Sequence, residues 1–169
     1  NDEYMGVNAG KTQYNGLEFT LKNTFIKTKN ITLFGFHSFA YNDFKFKKFI
    51  DDSNDYSNNL LTGVPKLTYN ATIGLESLNG FYTSVNYSFV GEIPLRDNNS
   101  VYSDEYQIIN TQFGYQSNTN NNFQYNFLVG INNHTNSKYA SMLLINAGSF
   151  GGNKPRYYYP GNPVNYYTS

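Results

Sequence analysis

Apolar and polar residues alternate at every second position between residues 67 and 76. One side of this stretch carries Leu67, Tyr69, Ala71, Ile73 and Leu75, while the other carries Thr68, Asn70, Thr72, Gly74 and Glu76. A period of two is that of a β-strand whose two faces meet different surroundings. The alternation recurs at 17–25, 31–48, 81–95, 105–116 and 123–133, and a last strand begins near Val164. No segment has a convincing helical period, so the pattern predicts an all-β fold of about seven strands.

The connectors between these strands alternate in length. Those at 27–30, around 79–80 and at 117–122 are short, and those at about 49–65, 96–104 and 134–162 are long. In an antiparallel up-and-down arrangement, alternate connectors lie at the same end, and membrane barrels have short turns at one end and long loops at the other. A sandwich with Greek-key connections need not sort its loops in this way.

The hairpin between the third and fourth strands has a predictable register. With a two-residue turn, apolar Ile73 would face polar Asn86 along the pair. A three-residue loop at 78–80 pairs Ile73 with Val85 instead and keeps both apolar faces together. Such loops place a left-handed residue at their third position, so we expect Gly80 in that conformation.

The second strand, at 31–48, has two possible apolar faces. The competing sets are Ile31, Leu33, Phe39 and Tyr41 on one side and Phe34, Phe36, Phe44 and Phe46 on the other. The alternation alone does not choose between these two sets.

The apolar faces point to lipid as their surroundings. The strands run for about 11–18 residues, whereas globular strands usually have about 5–6. The chain has 17 Tyr and 14 Phe but a mean hydropathy of −0.57, a combination that suits a barrel that is wet inside and aromatic at its membrane interfaces. We therefore predict an antiparallel transmembrane β-barrel. About seven strands do not close such a barrel, so this chain is expected to be part of a larger one. The alternative is a soluble all-β domain.

The net charge and the residue types argue against nucleic-acid binding, thiolate metal sites and enzyme activity. Formal net charge is zero and there is no cysteine, so neither nucleic-acid binding nor a thiolate metal site is indicated. No nucleophile–base–acid set is evident, and we expect neither an enzyme nor a cofactor. The run 51–59 alternates oxygen ligands as a calcium loop does, but Tyr56 replaces the loop glycine and Thr62 replaces its final Glu. A solvated loop is the simpler interpretation.

Several segments, in order along the chain, resemble the end of the barrel of TonB-dependent outer-membrane receptors. They are NAGKTQYNGLEFTL (8–21), LLTGVPKLTYNATIGLE (60–76), YSFVGEIPLRDNNSVYSDEYQIINTQFGY (87–115), YNFLVGINNHTNSKYASMLLINA (125–147) and PRYYYPGNPVNYYTS (155–169). The match resembles Bacteroidetes-like receptors of the iron-complex type. The segment after Asn132 departs from the family's usual Leu-Phe-Asp, which leaves the ligand class open.

The resemblance implies a barrel of about 22 strands with a plug domain. Residues 1–169 would be its C-terminal part, without the plug, in the bacterial outer membrane. The implied function is energy-coupled uptake of a ferric siderophore or other iron complex. Its partners would be the rest of the barrel, TonB acting through the plug, an extracellular small ligand and membrane lipids. The alternatives are a structural subunit of a larger outer-membrane complex and a SusC-like glycan importer with a partner lipoprotein.

The long connectors carry the candidate ligand contacts, because loops on a rigid scaffold commonly provide recognition. The candidates in or beside these connectors are Arg96, Asp97, Tyr102, Tyr106 and Arg156. Ordinary solvated loop residues are the alternative interpretation of all five.

Overall fold

The fold of the protein is all-β in a computed structural model that describes residues 10–51, 53–117, 123–149 and 151–169. The strands are β1 (Lys11–Lys27), β2 (Ile31–Lys48), β3 (Ile50–Asp51), β4 (Asn54–Asp55), β5 (Leu67–Ser77), β6 (Phe81–Val90), β7 (Tyr106–Gln116), β8 (Asn126–Asn132), β9 (Ala140–Leu143), β10 (Tyr158–Pro160) and β11 (Asn165–Thr168). Over the described ranges, no helix has the length and hydropathy needed to cross a bilayer.

Seven strands form one antiparallel sheet in the order β1-β2-β5-β6-β7-β8-β11. Each strand pairs with the next long strand along the chain, so the predicted up-and-down order is confirmed. The short hairpins β3–β4 and β9–β10 lie within long connectors and were not predicted. In the part of the chain that the structure describes, β1 and β11 each pair on one side only, so this sheet does not close by itself.

The connectors sort by length between the two ends of the sheet, as predicted. The short connectors at 28–30 and 78–80 lie at one end, and the ends of β7 and β8 that 117–125 joins are at the same end. The opposite end carries the first long connector (49–66), the second long connector (91–105) and the third long connector (133–164). Any site built from the long connectors therefore lies at a single end of the sheet.

The hairpin between β5 and β6 has the predicted register. Ile73 pairs with Val85 and Ala71 with Tyr87 across a three-residue loop. Gly80 has φ of 92°, in the left-handed region, and its N–H donates to the Ser77 carbonyl oxygen at 3.0 Å. The pairing of like faces requires a three-residue loop, and such a loop requires a left-handed residue at position 80.

The prediction that the fourth strand reaches residue 95 was wrong. β6 ends at Val90, and the chain turns into the second long connector, where Ile93 and Leu95 are buried. The backbone here bonds to other connector residues instead of along the sheet: the Ser103 N–H donates to the Ile93 carbonyl oxygen at 2.9 Å, and the Gly63 N–H donates to the Pro94 carbonyl oxygen at 2.9 Å. The apolar side chains at 93 and 95 therefore form a small core for the long connectors.

The apolar face of the sheet has no second layer of the described chain against it. Leu17 is 61% exposed, Ile73 51% and Val129 52%. The register also resolves β2: Leu33 and Phe39 lie in apolar-face rows, opposite Leu75 and Tyr69. Phe34 and Phe36 belong to the polar face. The side chains of the apolar face therefore do not form a core within the described residues.

Aromatic rings on the polar face lie over glycines of the neighbouring strand. A Cβ at Gly74 would be 2.3 Å from the Phe34 ring, and one at Gly114 would be 2.2 Å from the Tyr82 ring. Gly130 is covered by Tyr167 in the same way. A glycine beside a large ring lets the ring lie flat on the sheet. This close packing explains how apolar Phe34 is accommodated on the polar face.

Candidate ligand-binding site in the long connectors

Asp97 connects all three long connectors. Its Oδ1 accepts a hydrogen bond from the Thr62 hydroxyl, and its Oδ2 accepts one from Asn146 Nδ2 at 2.8 Å. The Asp97 N–H donates to Asn146 Oδ1 at 3.2 Å, and Asn59 Nδ2 donates to the Asp97 carbonyl oxygen at 2.7 Å. Hydrogen bonds to a charged acceptor are stronger than neutral ones. Asp97 therefore holds the connectors in one arrangement.

Arg96 makes the neighbouring connection. Its Nε donates to the Tyr157 hydroxyl oxygen at 2.8 Å, and its guanidinium carbon lies 5.7 Å from the centroid of the Tyr157 ring. This contact fixes Tyr157, in the third long connector, against the second. Arg96 and Asp97 also line an open cleft of about 380 Å³ together with Asp51 and Tyr56.

A larger cavity, of about 560 Å³, lies between the second and third long connectors. We call it the tyrosine cavity, because four tyrosines line it: Tyr102, Tyr139, Tyr157 and Tyr158. Its apolar lining includes Leu95, Val101, Leu143, Pro160 and Pro163. A cavity of several hundred Å³ with apolar walls and a few polar groups is typical of small-molecule sites.

The structure separates the five predicted ligand contacts. Tyr102 lines the tyrosine cavity, and Tyr106 reaches it indirectly, because its ring lies 5.3 Å from that of Tyr139. Arg96 and Asp97 line the open cleft, where their polar groups contact other connectors. Arg156 is exposed and lines neither the cavity nor the cleft.

Sequence reasoning missed the other three tyrosines of the cavity. Tyr157 and Tyr158 belong to the run Arg-Tyr-Tyr-Tyr-Pro at 156–160. Three consecutive tyrosines next to a proline in a long connector were a usable signal. Tyr139 had no comparable signal, because only the fold brings it against Gly161 and Tyr106.

Within the oxygen-rich run at 51–59, Asp55 and Ser57 bond to each other, while Asn59 bonds to Asp97 in another connector. The Ser57 N–H donates to Asp55 Oδ1 at 2.9 Å, and the Ser57 hydroxyl accepts a bond from the Phe49 N–H at 3.1 Å. Hydrogen bonds from the Ser57 hydroxyl and then from its N–H hold the pKa of the Asp55 carboxyl below its ordinary value. No group of three or more acidic, His or Cys side chains suited to a metal ion occurs within the described ranges.

Replacing Asp97 with alanine should loosen the long connectors. Each lost hydrogen bond to the carboxylate is worth roughly 1.5–3 kcal/mol, so local opening should become at least about tenfold more frequent. Limited proteolysis of the receptor that carries this segment would measure this as faster cleavage within the long connectors. Asp51→Ala is the matched control, because Asp51 lines the same cleft but its side chain makes no hydrogen bond with the described residues. Equal cleavage rates in the two variants would contradict the bracing role.

Two comparisons with known proteins, one with a family model and one with a solved structure, cover most of the sheet. The family model for the TonB dependent receptor-like β-barrel matches residues 1–134 of the 169. The chain is also similar to the crystal structure of the siderophore receptor PiuA from Acinetobacter baumannii, with a TM-score of 0.70 and 15% identity. That alignment covers 95% of this chain and 22% of the PiuA chain, so this chain spans about a fifth of that receptor. At this identity the likeness concerns the fold, and the family match extends over most of the sheet. The chain therefore belongs to the TonB-dependent receptor β-barrel family.

Proposed function

We propose that residues 1–169 are the C-terminal part of the outer-membrane barrel of a TonB-dependent receptor in a Gram-negative bacterium. The receptor would take up a scarce ligand such as a ferric siderophore or another iron complex. The observation that carries this proposal is the unburied apolar face. Side chains such as Phe19, which is 54% exposed, and Ile73 have no partner layer in the described residues.

The energetics of that face favour a lipid environment. Burying one large apolar side chain is worth roughly 1.5–3 kcal/mol relative to leaving it in water. The face repeats such side chains along every long strand, among them Leu21, Phe113 and Phe127. Acyl chains remove this cost, provided that the backbone is fully paired in a closed barrel. Strands outside this chain would supply the missing partners of β1 and β11.

In the proposed receptor, the sheet, the long connectors and the plug domain have different roles. The sheet forms the wall, with its polar face toward the interior, and the long connectors contact the extracellular ligand. Energy would reach the ligand path through TonB and a plug domain. In the tyrosine cavity and the open cleft, the candidate contacts are Tyr102, Tyr106, Arg96 and Asp97, with Arg156 on the exposed surface nearby.

Uptake of a labelled iron chelate tests the proposal directly. A strain that lacks the receptor gene is complemented with the intact gene, and ⁵⁵Fe accumulation is measured under iron limitation with and without TonB. We expect accumulation above background only when both the receptor and TonB are present. Loss of envelope integrity without any TonB-dependent uptake would favour a structural subunit. TonB-dependent growth on an oligosaccharide, without iron uptake, would favour a glycan importer with a partner lipoprotein.

A further inference from the structure

The tyrosine cavity is electrically balanced. Among its described lining residues, Asp104 is the one acidic side chain and Lys138 the one basic side chain. Arg96 stands outside the lining, and its guanidinium contacts Tyr157. Sites that recognise multiply charged anions present several Arg or Lys side chains that converge on the ligand. This cavity has no such cluster in its described lining.

Five strands of the sheet also present a nearly uncharged polar face, whereas β1 carries Glu18 and Lys22 on that face. On the polar face of β5, β6, β7, β8 and β11, Glu76 is the one Asp, Glu, Lys or Arg within the described strands. Amide and hydroxyl groups bond across the strands there. The Ser88 hydroxyl donates to Asn70 Oδ1 at 2.7 Å, and Asn86 Nδ2 donates to the Thr72 hydroxyl oxygen at 3.0 Å. Such a surface offers hydrogen bonds to a ligand but little electrostatic attraction.

Two of the four tyrosines are held in place before any ligand arrives. A Cβ at Gly161 would be 2.2 Å from the Tyr139 ring, whose centroid also lies 5.3 Å from that of Tyr106. Tyr157 is fixed by its bond from Arg96 Nε. Positioned aromatic side chains provide flat contact surfaces at low entropic cost, with hydroxyl groups at their edges.

We propose that the tyrosine cavity binds an uncharged ligand that presents flat or CH-rich faces together with hydroxyl or amide groups. This inference rests on the proposed function, in which the long connectors meet the extracellular ligand. Two sources share this chemistry. One is a neutral ferric chelate, in which three hydroxamates balance the charge of the metal. The other is a neutral oligosaccharide. A ferric chelate of three catecholates is trianionic and does not fit the charge of the cavity.

Titration calorimetry on the intact receptor in detergent tests the inference. Three probes are compared: a ferric trihydroxamate, a ferric tricatecholate and a mixture of neutral oligosaccharides. We expect one of the two neutral probes to bind more tightly than the tricatecholate, and the one that binds identifies the source. Tyr158→Ala should weaken that binding about tenfold or more, because a tyrosine face and its hydroxyl are lost.

Tyr159→Ala is the matched control. Tyr158 pairs with Leu143 and lines the cavity, whereas its neighbour Tyr159 pairs with Met142 and is absent from the lining. Both side chains are more than half exposed, at 65% and 56%. Equal effects of the two substitutions would overturn the inference. Tightest binding by the tricatecholate would also overturn it, but the importer proposal would still stand. Failure of all three probes also overturns it, and the uptake assay then decides the importer proposal separately.

Discussion

Replacing Ile73 with arginine should lower the free energy of unfolding of the receptor barrel by roughly 2–4 kcal/mol, the cost of a charged side chain on the lipid face near the bilayer midplane. Ile73 is 51% exposed on the apolar face, in the row that joins Gly35, Ile73 and Val85. In the proposed barrel this row faces acyl chains. Urea titration of the receptor folded into lipid vesicles would measure the change.

Thr72→Arg is the control for that substitution, one residue away and on the opposite face. Thr72 lies in the polar row between Phe36 and Asn86, and its hydroxyl oxygen accepts a bond from Asn86 Nδ2 at 3.0 Å. The arginine would extend into water, so the expected cost is that of the lost hydrogen bond, about 1 kcal/mol. Equal costs at 72 and 73 would contradict the assignment of the two faces. A smaller cost at 73 than at 72 would reverse it.

The sheet was predictable because one physical rule governs it throughout. A period of two assigns each residue to a face, and pairing of like faces then fixes the register of neighbouring strands. That rule correctly gave the seven strands, their order and the β5–β6 loop. It left β2 open, because Phe34 and Phe36 are apolar yet lie on the polar face. For Phe34, the missing information was the long-range contact between its ring and Gly74, which no local pattern contains.

The long connectors were far less predictable, because no periodic rule applies to them. Ile93 was assigned to a strand on its spacing, but β6 ends at Val90, and the Ile93 carbonyl oxygen accepts a bond from the Ser103 N–H in the same connector. Asp97 was chosen as a candidate ligand contact, whereas its described bonds join Thr62 and Asn146, 35 and 49 residues away in sequence. Such distant partners are visible only in the fold. The grouping of tyrosines around one cavity has the same origin.

Gly80→Ala should destabilise the barrel by roughly 2–5 kcal/mol, because two separate costs add at this position. The left-handed backbone, with φ of 92°, costs an L-residue about 1–2 kcal/mol. A Cβ would also lie 2.1 Å from the Gln116 carbonyl oxygen, and overpacking of this kind costs about 1–3 kcal/mol. The obstacle is backbone, so no side chain can move to relieve it. The measurement is again urea titration of the receptor in lipid vesicles.

Two other glycines separate these costs. Gly152 has φ of 77° with nothing within 4 Å of the position that an added Cβ would occupy, so Gly152→Ala carries the backbone cost alone. Gly114 is covered by the Tyr82 ring and has no positive φ, so Gly114→Ala carries the steric cost alone. Combining it with Tyr82→Ala should recover part of the loss, since the obstructing ring is then gone. The loss at Gly80 should exceed that at either other glycine, because both costs apply there. The hairpin cannot escape the strain by slipping one residue, since the slip would turn Ile73 and Val85 to the polar face. If Gly80→Ala were no more costly than Gly152→Ala, the backbone contact at Gln116 would not be what fixes this turn.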